Sequence, residues 1–173
     1  MNFRSHPDRQ IVKAALGKAR ERFGFRLIHY SIQKDHLHLL VEAADKRALA
    51  RGMQGLAIRV AKGVNRINGG HGHVFADRYH AHVLTKPKEV RHAVAYVLNN
   101  TRRHLAKHGH LLPPNWLDEH SSAYAFDGWA QPLRGGELDD DRAVTDPKTW
   151  LLRIGWRRHG LVPRAEVPGD PAA

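Results

Sequence analysis

The fold predicted for this chain depends most on residues 25–42, FRLIHYSIQKDHLHLLVE. Residues 25–32 and 36–42 are rich in apolar, aromatic and β-branched side chains, a composition typical of strands. The short polar turn Gln33-Lys34-Asp35 between them predicts an antiparallel hairpin. Because side chains alternate between the two faces of a strand, His36 and His38 are expected to lie on the same face.

Helices are predicted on both sides of this hairpin. Residues 8–22 carry a modest apolar stripe and precede Gly24, which ends the helix. In residues 46–67, apolar side chains recur at helical spacing. A basic face lies opposite them and contains Arg47, Arg51, Arg59, Lys62 and Arg66. These cations are interpreted either as a solvated surface or as a face that follows the phosphates of a nucleic acid.

Two further elements complete the predicted order. Residues 74–85 contain another strand, centred on 79–84, and a last large helix runs from Pro87 to about residue 107. The order helix, strand, strand, helix, strand, helix is an α+β pattern. It predicts a ferredoxin-like antiparallel sheet with helices on one face, whose first strand is missing.

The chain changes character after residue 110, where Pro113-Pro114 interrupts the helical pattern. We therefore predict two parts. Residues 1–110 form the structured domain, and residues 111–173 form an irregular C-terminal extension with one short helix.

The charge is concentrated in the first part. The chain carries 28 Lys and Arg against 17 Asp and Glu, a net charge of +11. Residues 1–110 hold 21 of these cations and 7 of the anions, a balance of +14. A folded unit with this field attracts polyanions, which favours nucleic acid as the partner over a purely solubilising surface.

Composition also excludes several classes of protein. The chain has no cysteine, so disulfides and thiolate metal sites are ruled out. No run approaches the ~20 apolar residues that span a bilayer. We therefore expect a soluble, cytoplasmic protein without a membrane partner.

Histidine pairs are frequent in this sequence, which contains 14 histidines. Two neighbouring imidazoles can begin a divalent-metal site. The spacing of His36 and His38 recurs at 71/73, 80/82 and 108/110, so spacing alone does not select a pair. The pair in the predicted strand 79–84 remains a rival.

The last large helix carries a second candidate feature. Tyr96 and Asn100 are four residues apart and share a face with Arg103 and Lys107, opposite the apolar stripe. A tyrosine beside an amide and two cations suits a phosphate-facing role. A surface tyrosine that packs on a neighbour is an equally good interpretation.

Three features in this order resemble the single-tyrosine HUH transposases. They are Asp35-His36-Leu37-His38-Leu39-Leu40-Val41, the basic helix that follows it, and Tyr96-Val97-Leu98-Asn99-Asn100. These include the insertion-sequence and the REP-associated tyrosine transposases. The resemblance covers roughly residues 5–108 in matching order. It implies that His36, His38 and Asn100 ligate Mg²⁺ or Mn²⁺ and that Tyr96 is the nucleophile, which leaves His80 and His82 outside the motif.

The resemblance further implies nicking and strand transfer on single-stranded or hairpin DNA through a 5′-phosphotyrosine, by a monomer or homodimer. The chain departs from the family at its start, because only about four residues precede the first helix. Two alternatives stay open: a non-catalytic DNA-binding relative, and a metal hydrolase that uses metal-bound water. The residues do not identify a general base, for which His92 and metal-assisted ionisation are both candidates.

Overall fold

A computed structural model describes residues 2–133 and 143–169. Within these ranges, three antiparallel strands form a sheet in the order β1-β2-β3. The strands are β1 (Glu21–Arg22), β2 (Phe25–Ile32) and β3 (Leu37–Ala43). The predicted α+β fold is confirmed, and residues 2–5 form no strand ahead of the first helix.

Five α-helices lie in the described residues. They are α1 (His6–Ala19), α2 (Lys46–Asn68), α3 (Pro87–Leu98), α4 (Asn100–Lys107) and α5 (Trp150–Arg153). The side chain of Asp45 accepts a hydrogen bond from the Ala48 backbone N–H, which caps α2, and Gly69 ends that helix with φ +63°. No helix in this part of the chain has the length and apolar character needed to cross a membrane.

The sheet has a core on each face. Leu27, Tyr30 and Ile32 of β2 pack with α1 and α2 on one face. Ile28 of β2 and Leu40 of β3 pack with α3 on the other. The register pairs Ser31 with His38, so β3 presents His38 and Leu40 to the face that α3 covers.

The C-terminal segments complete the sheet and the second core. The short β1 covers only part of one edge of β2, and the rest of this edge forms backbone hydrogen bonds with residues after 117. The Ile32 N–H donates to His120 O, and the Thr145 N–H donates to Leu27 O. Trp129 and Trp156 are buried against α3. Residues beyond 110 therefore satisfy backbone groups and bury apolar surface of the first part.

The strand predicted at 79–84 is wrong. The residues between α2 and α3 form no strand, and the side chains of Tyr79 and Val83 are 44% and 77% exposed. A strand requires a neighbour for its backbone groups, and β3 has only β2 as a strand neighbour within the described residues. Alternating apolar residues do not suffice without a partner strand.

The continuous helix predicted from Pro87 to about residue 107 is also wrong, since the helix breaks at Asn99. This residue has φ −103° and ψ 19° and separates α3 from α4. Its side-chain amide donates a hydrogen bond to Pro163 O. The apolar periodicity of the sequence continues through this position, but the hydrogen bond from the Asn99 side chain to a distant carbonyl accompanies the end of the regular helix.

We expect the free energy of unfolding to fall as the pH is lowered from about 6.5 to about 4. His29 Nδ1 lies 3.1 Å from Ser122 Oγ, and its ring meets the Phe126 ring edge-on. Burial lowers the pKa of His29 to about 4. In this interval His29 is protonated in the unfolded state before it is protonated in the folded state, which lowers the free energy of unfolding by about 3 kcal/mol at the acidic end.

Urea unfolding at pH 7 and at pH 4.5 measures this effect, with His29→Gln as the control. The variant keeps a hydrogen-bonding group but loses the titration, so its stability should depend less on pH. An unchanged difference between the two pH values would remove His29 as a cause.

Candidate active site

Two histidines converge at the start of β3. His36 Nε2 lies 3.1 Å from His38 Nε2, and the two rings are nearly perpendicular. Two nitrogens that bind one ion at about 2.1 Å and at right angles would be about 3.0 Å apart. The spacing of the two Nε2 atoms therefore fits a shared divalent ion.

Asp35 orients the first of these imidazoles. Its Oδ1 lies 2.7 Å from His36 Nδ1, and this hydrogen bond lowers the pKa of the Asp35 carboxyl. An ionised carboxylate only accepts hydrogen bonds, so Nδ1 carries the proton and Nε2 presents its lone pair. The sequence pattern places Asp35 in the turn and at the start of the histidine motif without predicting this role, although a carboxylate beside a histidine pair is a signal for it.

His38 is held in its neutral form. Burial, together with its neighbours His36, His104 and Arg103, lowers its pKa to about 4. A neutral imidazole at pH 7 is the form that ligates a metal. His104 was not recognised from the sequence, where it stands four residues after Asn100.

Tyr96 of α3 packs on His38, the second histidine of this pair. Its ring meets the His38 ring edge-on, with centroids 5.1 Å apart. The Arg103 guanidinium carbon lies over the same ring, 5.4 Å from the centroid. The half-buried Tyr96 thus contacts both a histidine and a cation, and Arg103 is buried against it, unlike the exposed Lys107.

Asn100, the first residue of α4, is fully buried. Neither its side-chain oxygen nor its side-chain nitrogen has a hydrogen-bond partner within the described residues. Leaving a buried amide without a partner costs roughly 1–3 kcal/mol. Such a group has an unused acceptor oxygen of the kind that Mg²⁺ and Mn²⁺ accept as a ligand.

The donor set limits what a metal site here could contain. Within residues 2–133 and 143–169, no cluster of three or more His, Cys, Asp or Glu side chains could hold a metal ion. A site at His36 and His38 therefore needs a further donor of another type, such as an amide, a water or a phosphate oxygen. The residues present fit a divalent ion on these terms.

The C-terminal extension anchors the helix that carries Tyr96. Arg91 of α3 forms a two-pronged ion pair with Glu166, in which Nη2 lies 2.6 Å from Oε2. Asn99 donates to Pro163 O, and Trp156 packs in the core beside α3. Sequence reasoning missed these contacts, because they join residues about 60 or more positions apart.

The basic face of α2 is not adjacent to the histidine pair, because α2 covers the opposite face of the sheet. Four of its five predicted DNA-contacting cations are exposed and Arg59 is half-buried; the exposed ones are Arg47, Arg51, Lys62 and Arg66. Of the two predicted DNA-contacting cations on α4, Arg103 contacts the Tyr96 ring, and Lys107 follows four residues later on the same helix.

Comparison with known protein families identifies a match. The family described as "Transposase IS200 like" matches residues 2–100, more than half of the chain. No curated protein and no solved structure matches the chain. The matched range includes His36, His38, Tyr96 and Asn100. Since this match spans both sequence motifs in their order, the chain belongs to the family of IS200-like transposases.

Proposed function

We propose that this chain nicks and joins single-stranded or hairpin DNA through a covalent 5′-phosphotyrosine on Tyr96. The contact between the Tyr96 ring and the His38 ring carries the proposal, since it places a phenol beside two convergent imidazole nitrogens. Membership of a transposase family supports DNA as the substrate.

The reaction follows from the groups present. Tyr96 Oη would attack the phosphorus, and the P–O3′ bond would break. The phenolic proton is lost and the departing 3′ oxygen gains one, so the products are a 5′-phosphotyrosine and a free 3′-hydroxyl. The new ester retains the energy of the old one, and a 3′-hydroxyl of a second strand can reverse the step without ATP.

The side chains around Tyr96 have distinct roles in this proposal. His36, His38 and Asn100 would hold Mg²⁺ or Mn²⁺, which when bound polarises phosphoryl oxygens and neutralises developing charge. Arg103, stacked on the Tyr96 ring, would offset negative charge on the phenolate and the scissile phosphate. The protein would act as a monomer or a homodimer.

Hairpin-bearing single-stranded DNA incubated with the protein and Mn²⁺ tests the proposal. A 5′-phosphotyrosine joins the protein to the downstream fragment, so a 3′-labelled substrate should yield a labelled adduct in a denaturing gel. A 5′-labelled substrate should instead yield a short free product. EDTA should abolish both.

The other outcomes identify the competing functions. DNA binding without any cleavage would replace the proposal with a non-catalytic DNA-binding relative. Cleavage without an adduct would replace it with a hydrolase that uses metal-bound water.

We expect His36→Ala to weaken Mn²⁺ binding by at least about tenfold and to impair cleavage in parallel, because a chelating site loses one of its two imidazoles. Calorimetric titration with Mn²⁺ measures the affinity without DNA. His80→Ala is the matched control, since this exposed histidine lies outside the motif. Equal losses in both variants would show that the pair at 36 and 38 is not the site.

The Asn100→Leu variant tests whether Asn100 is the third metal ligand or only a packing residue. If Asn100 ligates the metal, Mn²⁺ affinity falls while the melting temperature is kept or rises, because a buried amide without a partner is removed. Unchanged Mn²⁺ affinity would exclude the amide as a ligand.

DNA binding should be strongly salt-dependent. The balance of +14 over residues 1–110 predicts several phosphate contacts. Six or more contacts reduce affinity by about 10³-fold or more between 50 and 200 mM salt. Fluorescence anisotropy of labelled DNA measures the slope, and neutralising a contacting cation such as Lys62 with Gln should reduce it by about one contact. A flat titration would show that these cations only solvate the surface.

A further inference from the structure

The turn between β1 and β2 holds an aromatic residue in an unfavourable backbone conformation. Arg22 pairs with Phe25, so the turn has two residues, Phe23 and Gly24. Their φ angles are +49° and +82°. Positive φ at both positions defines a type I′ turn, for which Asn-Gly is the preferred sequence. A bulky residue such as Phe at the first position is a marked exception.

Phe23 gains no burial in return for this conformation. Its side chain is 78% exposed, although Phe is one of the residues most often found in cores. The Arg22 guanidinium carbon lies over its ring, 5.5 Å from the centroid. Strained residues of this kind concentrate at binding and catalytic sites, because another requirement outweighs local stability.

A cleft of about 300 Å³ lies between this turn and the first turns of α2. Gly52 and Gly55 line it on the α2 side. A Cβ on Gly52 would lie 2.3 Å from the Phe25 ring, so the absence of a side chain there lets α2 approach the hairpin. Arg59 Nη1 donates to Gly55 O at 2.8 Å, which holds this guanidinium at the cleft.

The charge of the cleft is entirely positive. Among the residues that the structure describes, its ionisable lining residues are Arg22, Arg51 and Arg59. No carboxylate pairs with any of the three within the residues that the structure describes. An exposed aromatic face beside three guanidinium groups matches a ligand that is both planar and anionic, which is the chemistry of a nucleotide.

We propose that this cleft binds an unpaired nucleotide of the DNA, with its base stacked on Phe23 and its phosphate paired with Arg51 and Arg59. The inference rests on the proposed function, because it takes the ligand from the same DNA. Phe25, which follows the turn, and Ser31, which pairs with His38, are six positions apart along β2, a distance of about 20 Å. The bound nucleotide is therefore remote from the scissile phosphate, and α2 takes part in binding from the opposite face of the sheet.

Phe23→Asn tests the inference, because it removes the ring and creates the preferred Asn-Gly turn. Fluorescence anisotropy with a hairpin DNA carrying unpaired flanking bases should show about a tenfold loss of affinity, the usual effect of one lost base–aromatic stack. The melting temperature should stay equal or rise by a few degrees, since the turn is relieved. Leu111→Ala, which removes another highly exposed apolar side chain, should leave both values unchanged.

The position of the base is tested with 2-aminopurine placed at each unpaired position in turn. One position should be quenched by stacking in the wild type and bright in Phe23→Asn, and Arg51→Gln should weaken binding of the same DNA. If Phe23→Asn binds and quenches like the wild type, the cleft is not a base site, while covalent adduct formation by the wild type would still support the proposed function. If the wild type binds no DNA, both this inference and the proposed function are wrong.

Discussion

Tyr96→Phe should abolish the covalent protein–DNA adduct while leaving DNA binding and Mn²⁺ binding nearly unchanged. The substitution removes only the phenolic oxygen. The ring that contacts His38 and lies beneath Arg103 remains, so the packing of α3 is preserved. Loss of the nucleophile removes the chemical step entirely, which makes this the largest expected effect on activity. A denaturing gel with 3′-labelled hairpin DNA and Mn²⁺ measures it.

Two other tyrosines provide matched controls. Tyr79 lies in the exposed segment before α3, and Tyr30 is buried in β2 on the face opposite His38. Tyr79→Phe and Tyr30→Phe should therefore keep their adducts. An adduct formed by Tyr96→Phe would show that the nucleophile is misassigned.

Trp156→Ala should lower the free energy of unfolding by about 3–5 kcal/mol, a substantial part of the stability of a typical domain. The side chain is 2% exposed and packs against Phe126, and its Nε1 donates to Leu152 O. A Cβ added to Gly128 would lie 2.3 Å from the indole, so the packing is close and the cavity would not collapse easily. Urea unfolding measures the loss.

Trp150→Ala is the control for this prediction. Trp150 is 47% exposed and carries Arg158 over its ring, so its removal should cost much less. Trp156 lies in a 3₁₀ turn, residues 155–159, that contacts α3. On heating, the Trp156→Ala variant should therefore lose adduct formation at a lower temperature than the wild type does. Equal losses in the two tryptophan variants would show that the C-terminal core does not support α3.

Local rules were sufficient for several parts of the fold and the candidate site. Helical periodicity predicted 46–67, and the observed α2 is Lys46–Asn68. The polar turn after Ile32 and the alternation of β3 placed His36 and His38 together, and their Nε2 atoms are 3.1 Å apart. These features depend on residues that are near one another in the chain, so the pattern of apolar and polar residues alone predicts them.

Other features depend on contacts between distant residues. Residues 79–84 alternate like a strand but lack a partner, and Asn99 breaks a helix whose periodicity continues. The contact of Tyr96 with His38 needs α3 to lie across the sheet, where the C-terminal extension holds it. Spacing along the chain is enough to predict which residues share a strand face or a helix face. Which of these faces meet depends on the folded chain, because burial of apolar surface and pairing of backbone groups are satisfied across the whole chain.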